Sequence, residues 1–563
     1  YLKKTAGGKP VAVVGMDTRP TGSAIASILI RVLLAEGCDV RFAFITAAPE
    51  ITAYARTLGQ TAGGTAGFVF ISASHNPIGH NGLKFGLNDG GVLPGSETLR
   101  LIEHFNAAIT APDRIDRAAR ALAGADSGAV TAVYHNAERT KQAAYRAYLE
   151  FTRSLIAGGA AGEALMNTMT RFLKDAPLGV AADLNGSART LSIDGELLGG
   201  MGVAFKAIND EPYNIAHRIV PEGESLEPCR RFLEELHQQD SSYILGYTPD
   251  CDGDRGNLVV WDESAGQARI LDAQEVFALA CVAELSHLVW TGELRYDSRG
   301  NALNKAAVAV NDPTSLRIDR IAHAFDVPVF RAEVGEANAV GLARKLREKG
   351  CLVRILGEGS AGGTITHPSA VRDPIDTLAA LIKLLALRGG REGSGDPRGL
   401  FELWCDLSDQ AATYRPDFGL QDIIASLPAC ITTGAYTPEA LLRVKTADHG
   451  LLKDRYQAVF LREWEARKDA LAAKYGITAW EAAAYKGTEE RRGISRFGDA
   501  GRGGLRVIFT NREGREIACI WMRGSGTEPV FRVMADVEGS DRRMERDLIE
   551  WQRRMVMEAD SAE

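Results

Sequence analysis

No Cys-x-x-Cys pair and no zinc-type spacing occurs among the eight cysteines, which stand singly at 38, 229, 251, 281, 351, 405, 430 and 519 of 563 residues. That scatter excludes a disulfide framework and fits a reducing compartment, the cytoplasm. No run of about 18 apolar residues is present, so a membrane role is not expected, and the first residues lack the order of a signal peptide. Nor is there a basic block. Lys and Arg number 65 against 73 Asp and Glu, a net charge of −8, and nucleic acid is not an expected partner. An anionic ligand then has to be held by local Arg side chains and backbone N–H groups, not by the overall field. What remains, 45% apolar and 25% charged residues, is the composition of a globular protein. At roughly 150 residues per domain the length calls for about three to five domains with clefts between them.

Strand-like runs alternate with amphipathic helical stretches through most of the chain before the Gly- and charge-rich segment GGREGSGDPRG at 389–399, which reads as a linker. VAVVGMD (11–17), GFVFI (67–71), LGVAADLNG (178–186), AVAVNDP (307–313) and CLVRILGEG (351–359) read as buried strands. Such alternation predicts mostly parallel sheets with covering helices. Beyond the linker, LRVIFTNREGREIACIWMR (505–523) has two strand-like arms about a charged turn. FRVMADV (531–537) supplies a third strand and 541–556 a closing helix, an antiparallel α+β unit. The expected division is 1–174, 175–300, 301–390 and 400–563. Residues 110–172, with the Ala-rich AARALAGADSGAVTA, read as a loop-like insertion.

Four buried strands end in polar, Gly-rich loops: SASHNP (72–77), PDCDGDRG (249–256), GEGSAGG (357–363) and RGSGTEP (523–529). Ligands of open α/β sheets bind beyond the carboxyl ends of strands, so loops so placed are candidates for one cleft. Asp250, Asp252 and Asp254 stand at spacing two, which in an extended loop points three mutually repelling carboxylates to one side. A hard divalent cation such as Mg²⁺ removes the conflict, with positions left for water and a phosphate oxygen. An EF-hand does not fit, because its sixth position is Arg255 and its twelfth Trp261; a solvated acidic turn is the bland alternative. Cys251 should point away from the carboxylates by the same alternation.

RGSGTEP with Arg532 offers guanidinium groups, hydroxyls and glycine backbone to a single anion such as phosphate, or is a simple Gly/Ser turn. In GEGSAGG, Glu358 and Ser360 either accept and donate hydrogen bonds to vicinal hydroxyls or form only a turn. Ser74 has His75 beside it, yet no G-x-S-x-G elbow surrounds it, and adjacent residues on an extended loop diverge. The acidic triplet suggests a serine that carries phosphate, with the metal, Arg255 and Lys84 neutralising oxygen charge. Lys84 as a merely solvated lysine is the alternative.

In chain order Asp17 and Arg19 in GMDTRPTG, SASHNP with NGLK, DCDGDR, VGEAN, GEGS and RGSGTEP together resemble the α-D-phosphohexomutase family. The resemblance implies three related mixed α/β domains plus a smaller antiparallel α+β C-terminal domain around a central cleft. It implies Ser74 as phosphoserine, with His75, Lys84 and Arg255 in the catalytic set, and Mg²⁺ held by Asp250, Asp252, Asp254 and the Ser74 phosphate. Arg19, Glu358, Ser360 and His367 become substrate contacts. Arg523, Ser525, Gly526, Thr527 and Arg532 become the clamp on the phosphate not being transferred. The implied reaction interconverts hexose 1-phosphate and hexose 6-phosphate, glucose first and mannose next, with hexose 1,6-bisphosphate as activator and a small phosphosugar as the partner.

The sequence departs from the family pattern at Ala337, where a lysine is common, and at Gly362, where bacterial relatives often carry histidine; His367 is the candidate substitute. These departures leave a catalytically weak phosphosugar sensor or scaffold as the alternative function. A Gly/Arg-rich segment expected before VAVVGMD is not among these residues, so upstream residues are expected.

Overall fold

A computed structural model describes residues 9–61, 66–158, 162–391, 395–525 and 530–562. The chain divides into two compact units. Unit 1 takes the chain up to Leu271 together with Gly363–Leu387, and unit 2 takes Asp272–Gly362 and Arg388 onward.

In unit 1 the strands are β1 (Val11–Met16), β2 (Asp39–Ile45), β3 (Ala66–Ile71), β4 (Leu83–Leu87), β5 (Gly179–Asp183), β6 (Ala204–Ile208), β7 (Tyr243–Pro249), β8 (Gly256–Asp262) and β9 (Gln267–Ile270). They form two sheets, ordered β2-β1-β3-β4 and β6-β5-β7-β8-β9. β1 is parallel to β2 and β3, while β4 returns antiparallel to β3. The second sheet repeats the device: β5 is parallel to β6 and β7, then β8 and β9 run antiparallel. Residues of β1 alternate between two cores: Val11 and Val13 pack with Ile51, Phe68 and Phe70, whereas Ala12, Val14 and Met16 pack with Ile30, Ile45 and Ile71. That period of two, apolar on both sides, is the pattern of a strand covered by helices on each face.

The stretch read as a loop-like insertion is helical. Arg114–Ala123, Ser127–His135, Ala137–Ala157 and Gly162–Asp175 are helices. Alanine has the highest helix propensity, and each break has a local cause: the first helix ends at Gly124, and the Asp126 carboxylate accepts the Ala129 N–H at 2.7 Å as the next begins. Two further stretches pack elsewhere than the expected division places them. Residues 363–387, within the segment expected as 301–390, join unit 1, where Val371 enters the core under β3. The helix Ala273–Thr291, within 175–300, joins unit 2; it is apolar on nearly every face, and such a helix has to be enclosed.

Unit 2 contains parallel strands Val329–Ala332, Val308–Asn311 and Ile355–Glu358 in that order. It also contains a seven-stranded sheet whose strands Gly504–Thr510, Glu516–Gly524 and Phe531–Glu538 run antiparallel, as the sequence predicts. Helices His449–Tyr475 and Arg542–Ser561 cover it, and Tyr456, Phe460, Trp464, Phe509 and Trp551 build one aromatic core between helices and sheet.

Candidate active site

Both reactive loops of unit 1 connect a buried parallel strand to its antiparallel edge neighbour: residues 72–82 join β3 to β4, and 250–255 join β7 to β8. Ser74 takes a left-handed backbone, φ 51°, a conformation that costs a non-glycine residue energy and turns its side chain out of the strand direction. Its N–H donates to Ser72 Oγ at 2.8 Å and its hydroxyl donates to Asp250 Oδ2 at 2.7 Å. The Ser72 hydroxyl in turn donates to Asp252 Oδ2 at 2.9 Å.

The three aspartates are buried and place one oxygen each within 4.8 Å of one another. Lys84 Nζ donates to Asp252 Oδ2 at 2.6 Å and Asp254 Oδ2 at 3.0 Å, and Arg372 donates to Asp254 Oδ2 at 2.8 Å. Burial raises the Asp250 carboxyl well above its usual range, and the charges of Asp252 and Asp254 add to this. Burial pushes Asp254 the same way, but Arg372, Lys84 and Arg255 outweigh it and hold that carboxyl below the usual range. Oδ1 of Asp252 and Oδ1 of Asp254 are buried with no hydrogen-bond partner among the described residues. Crowded oxygens of this kind, short of donors, fit a hard divalent cation. Gly253 between them has φ 68°, and a Cβ there would lie 2.4 Å from the Arg189 side chain, so only glycine completes the turn. Cys251 turns away, its Sγ 3.6 Å from Thr18 Oγ1.

His75 Nδ1 lies 2.7 Å from Arg255 Nη1, and an arginine can only donate, so the imidazole accepts there. Arg19, expected at the substrate, is buried beneath the serine loop. Nη2 donates to Ser74 O and Asn76 O, each at 2.6 Å, and Nη1 to Pro77 O and His80 O at 2.7 and 2.9 Å. Its Nε pairs with Asp17 Oδ2 at 3.1 Å, and Asp17, raised to about 6 by burial and then by Asp252, is equally buried. One guanidinium thus ties four carbonyls of the serine loop to the end of β1. Arg19→Met is expected to lower the free energy of urea unfolding by about 3–5 kcal/mol, because Asp17 and the carbonyls lose their buried donor. A loss below about 1 kcal/mol would contradict that anchoring role.

In unit 2, Glu358 is buried and accepts the Gly335 N–H at 2.9 Å, while Ser360 Oγ accepts from Asn311 Nδ2 at 3.0 Å. Arg523 donates from Nε and Nη2 to Glu333 Oε1 at 3.1 and 3.0 Å. Arg532 donates to Ala435 O and sits 4.7 Å over the Tyr436 ring, and the Ser525 N–H donates to Val530 O at 2.9 Å. Gly526 and Thr527 lie outside the described residues. His367, half-buried, belongs to unit 1, unlike Glu358 and Ser360.

Sequence reasoning misses Arg372, which stands 118 residues from the aspartate it pairs with. It also misses Lys453, whose Nζ donates to Gly501 O at 2.9 Å and to Gly503 O. Burial pushes the Lys453 ammonium down to about 7, with attraction to Asp312 opposing and repulsion from Arg523 adding to the effect. The folded value is below that of the unfolded chain, 10.5, so between the two the unfolded state binds the extra proton and stability rises with pH. From pH 7 to 9.5 the wild type should gain about 3 kcal/mol more in urea unfolding than Lys453→Met, and equal gains would contradict this titration.

A family model for phosphoglucomutase/phosphomannomutase, alpha/beta/alpha domain I, matches residues 1–111. Phosphoglucosamine mutase of Thioalkalivibrio sulfidiphilus is 26% identical over 538 residues, 95% of this chain and 87% of the relative. Phosphoglucosamine mutase of Nitrosospira multiformis is 28% identical over 333 residues, 59% of this chain and 58% of the relative. The crystal structure of a phosphoglucomutase/phosphomannomutase family protein from Burkholderia thailandensis shares the fold with a TM-score of 0.57 at 17% identity, covering 100% of this chain and 91% of that one. The domain I match, the full-length similarity to a phosphosugar mutase and the shared fold together support the α-D-phosphohexomutase family.

Proposed function

We propose that the protein interconverts hexose 1-phosphate and hexose 6-phosphate through a phosphoserine at Ser74. The observation that carries this reading is the Ser74 hydroxyl held 2.7 Å from Asp250 beside two further buried carboxylates, with Lys84, Arg255 and Arg372 at the rim. A nucleophile so placed has Lys and Arg side chains in its surroundings and, in the carboxylates, a seat for a cation; together these would supply the charge neutralisation that phosphoryl transfer asks of a protein.

Asp250, Asp252 and Asp254 would hold Mg²⁺, which when bound neutralises charge on the Ser74 phosphate oxygens. The P–O bond to Ser74 Oγ breaks as a bond forms from the same phosphorus to a hydroxyl of the incoming hexose phosphate, giving a hexose 1,6-bisphosphate. The hydroxyl proton ends on Ser74 Oγ, which departs as the alcohol; Lys84, an ammonium held by Asp252 and Asp254, is assigned to donate a proton to that oxygen and to take one back from the hexose hydroxyl. Return of the other phosphate to Ser74 releases the isomer and regenerates the phosphoserine. Arg255, fixed against His75, neutralises the moving phosphoryl group, and Arg19 positions the serine loop. In unit 2, Glu358 and Ser360 are assigned to sugar hydroxyls, and Arg523, Ser525, Gly526, Thr527 and Arg532 to the distal phosphate; in unit 1, His367 is assigned to the sugar.

The sugar is proposed to have the gluco configuration. Glucose 1-phosphate is the first expectation. The names of the relatives bring in glucosamine 1-phosphate, whose C2 ammonium would suit the Glu358 carboxylate, and mannose 1-phosphate follows as the C2 epimer. Among the described residues no helix is long and apolar enough to cross a membrane, and the cytoplasm is the proposed compartment. The test is conversion of the three 1-phosphates with Mg²⁺ and a trace of the matching 1,6-bisphosphate. Turnover on at least one that needs both additions is expected. Absence of turnover on all three by Ser74-phosphorylated protein would favour a binding-only relative, and release of inorganic phosphate a phosphatase.

A further inference from the structure

We propose a second ligand site in unit 1, remote from Ser74, that takes a small organic phosphate. A cavity of about 580 Å³ lies where the parallel strands begin: Lys9 precedes β1, and Asp39 and Arg41 open β2. The serine loop follows the far end of β3, and Asp17 follows the far end of β1. A six-residue strand spans roughly 20 Å, so the two sites face opposite ends of one sheet.

The lining is cationic in a chain of net charge −8. Lys9, Arg41 and Arg139 stand against the single carboxylate of Asp39, three positive charges to one negative. Arg41 Nε is 3.6 Å from Asp39 Oδ2, and its Nη1 donates to Tyr54 Oη at 3.3 Å, which fixes the guanidinium plane at the wall. Lys9 and Arg139 have no ion-pair or hydrogen-bond partner among the described residues. Thr140 also lines the cavity; it is 8% exposed, and its hydroxyl has no partner among the described residues. It stands in the first turn of the helix Ala137–Ala157, where unbonded N–H groups and the positive end of the helix dipole favour an anion.

Like charges gathered at a concavity repel one another unless an anion sits among them. Val40 and Val133 give the same cavity an apolar side, and its volume falls in the range of small-ligand sites, roughly 300–1,000 Å³. A phosphate monoester with an apolar body satisfies both halves: the phosphate lies on Arg41, Arg139, Lys9 and the Thr140 hydroxyl, the body on the valines.

The test is calorimetric titration of the full chain with phenyl phosphate, run on wild type, Arg41→Gln/Arg139→Gln, Thr140→Val and Ser74→Ala. Expected are saturable binding to wild type and to Ser74→Ala with equal affinity, at least about tenfold weaker binding to the double variant, and about threefold weaker binding to Thr140→Val. Melting midpoints close to wild type would show that the variants fold. Unchanged affinity in the double variant, loss of binding in Ser74→Ala, or no saturable heat up to roughly 10 mM would each overturn the assignment.

Discussion

Ser74→Ala is expected to lower kcat by more than about 10⁴-fold on any accepted sugar, because no other group can carry the phosphoryl between the two halves of the reaction. The fold should barely register the change. The substitution deletes one hydroxyl and its bond to Asp250, within a loop still tied down by Arg19 and by Ser72, so unfolding free energy should move by less than about 1.5 kcal/mol. Far-UV circular dichroism and urea unfolding would check the second half of that statement, and coupled product assays the first. Residual turnover above about a tenth of wild type would place the chemistry on another group.

Asp250→Asn should have a large effect with two opposite signs. Asp250 is the least compensated of the three carboxylates: Lys84 and Arg372 pair with Asp252 and Asp254, while among the described residues Asp250 receives the Ser74 hydroxyl and the Arg255 N–H at 3.2 Å and no ion pair. Replacing it by a neutral amide removes repulsion within a buried cluster. Stability of the metal-free protein should rise by about 1–3 kcal/mol, seen as a melting midpoint several degrees higher. Activity should fall by at least about 10²-fold, since one ligand of the cation is gone. Mg²⁺ should raise the midpoint of wild type and shift that of the variant much less. A less stable variant with an undiminished response to Mg²⁺ would contradict the assignment of these aspartates to a cation.

The parts of this arrangement that are legible in the sequence are those whose geometry is local. In DCDGD the three carboxylates converge and Cys251 turns away as expected, but through a tight turn, with Gly253 at φ 68° and its N–H donating to Asp250 O, and not through an extended loop. Adjacent Ser74 and His75 both reach the 250–255 loop, at Asp250 and at Arg255, because the chain is not extended at Ser74, where φ is 51°. Arg19 is recognisable by its motif, but not the direction of its guanidinium, which depends on carbonyls 55 to 61 residues away. Arg372 has no local signal at all. The alternation of strands and helices is correct in kind and misses that β4 and β8 return antiparallel, because hairpins of 11 and 6 loop residues carry polar and glycine residues much as a strand-to-helix turn does. Alanine-rich sequence was the weakest guide: small residues suggest a loop by composition, yet propensity favours helix, and propensity prevails at 114–175. The helix His449–Tyr475 had a readable signal in Leu452, Tyr456, Phe460 and Trp464 at intervals of four.

The most direct measurement is the site of phosphate on the protein. Incubation with glucose 1,6-bisphosphate and Mg²⁺, followed by intact-mass and peptide mass spectrometry, should find one phosphate on the peptide containing Ser74 in wild type and none in Ser74→Ala. Addition of hexose phosphate should then discharge it. An active protein that carries no phosphate at Ser74 at any point in turnover would contradict the phosphoserine mechanism.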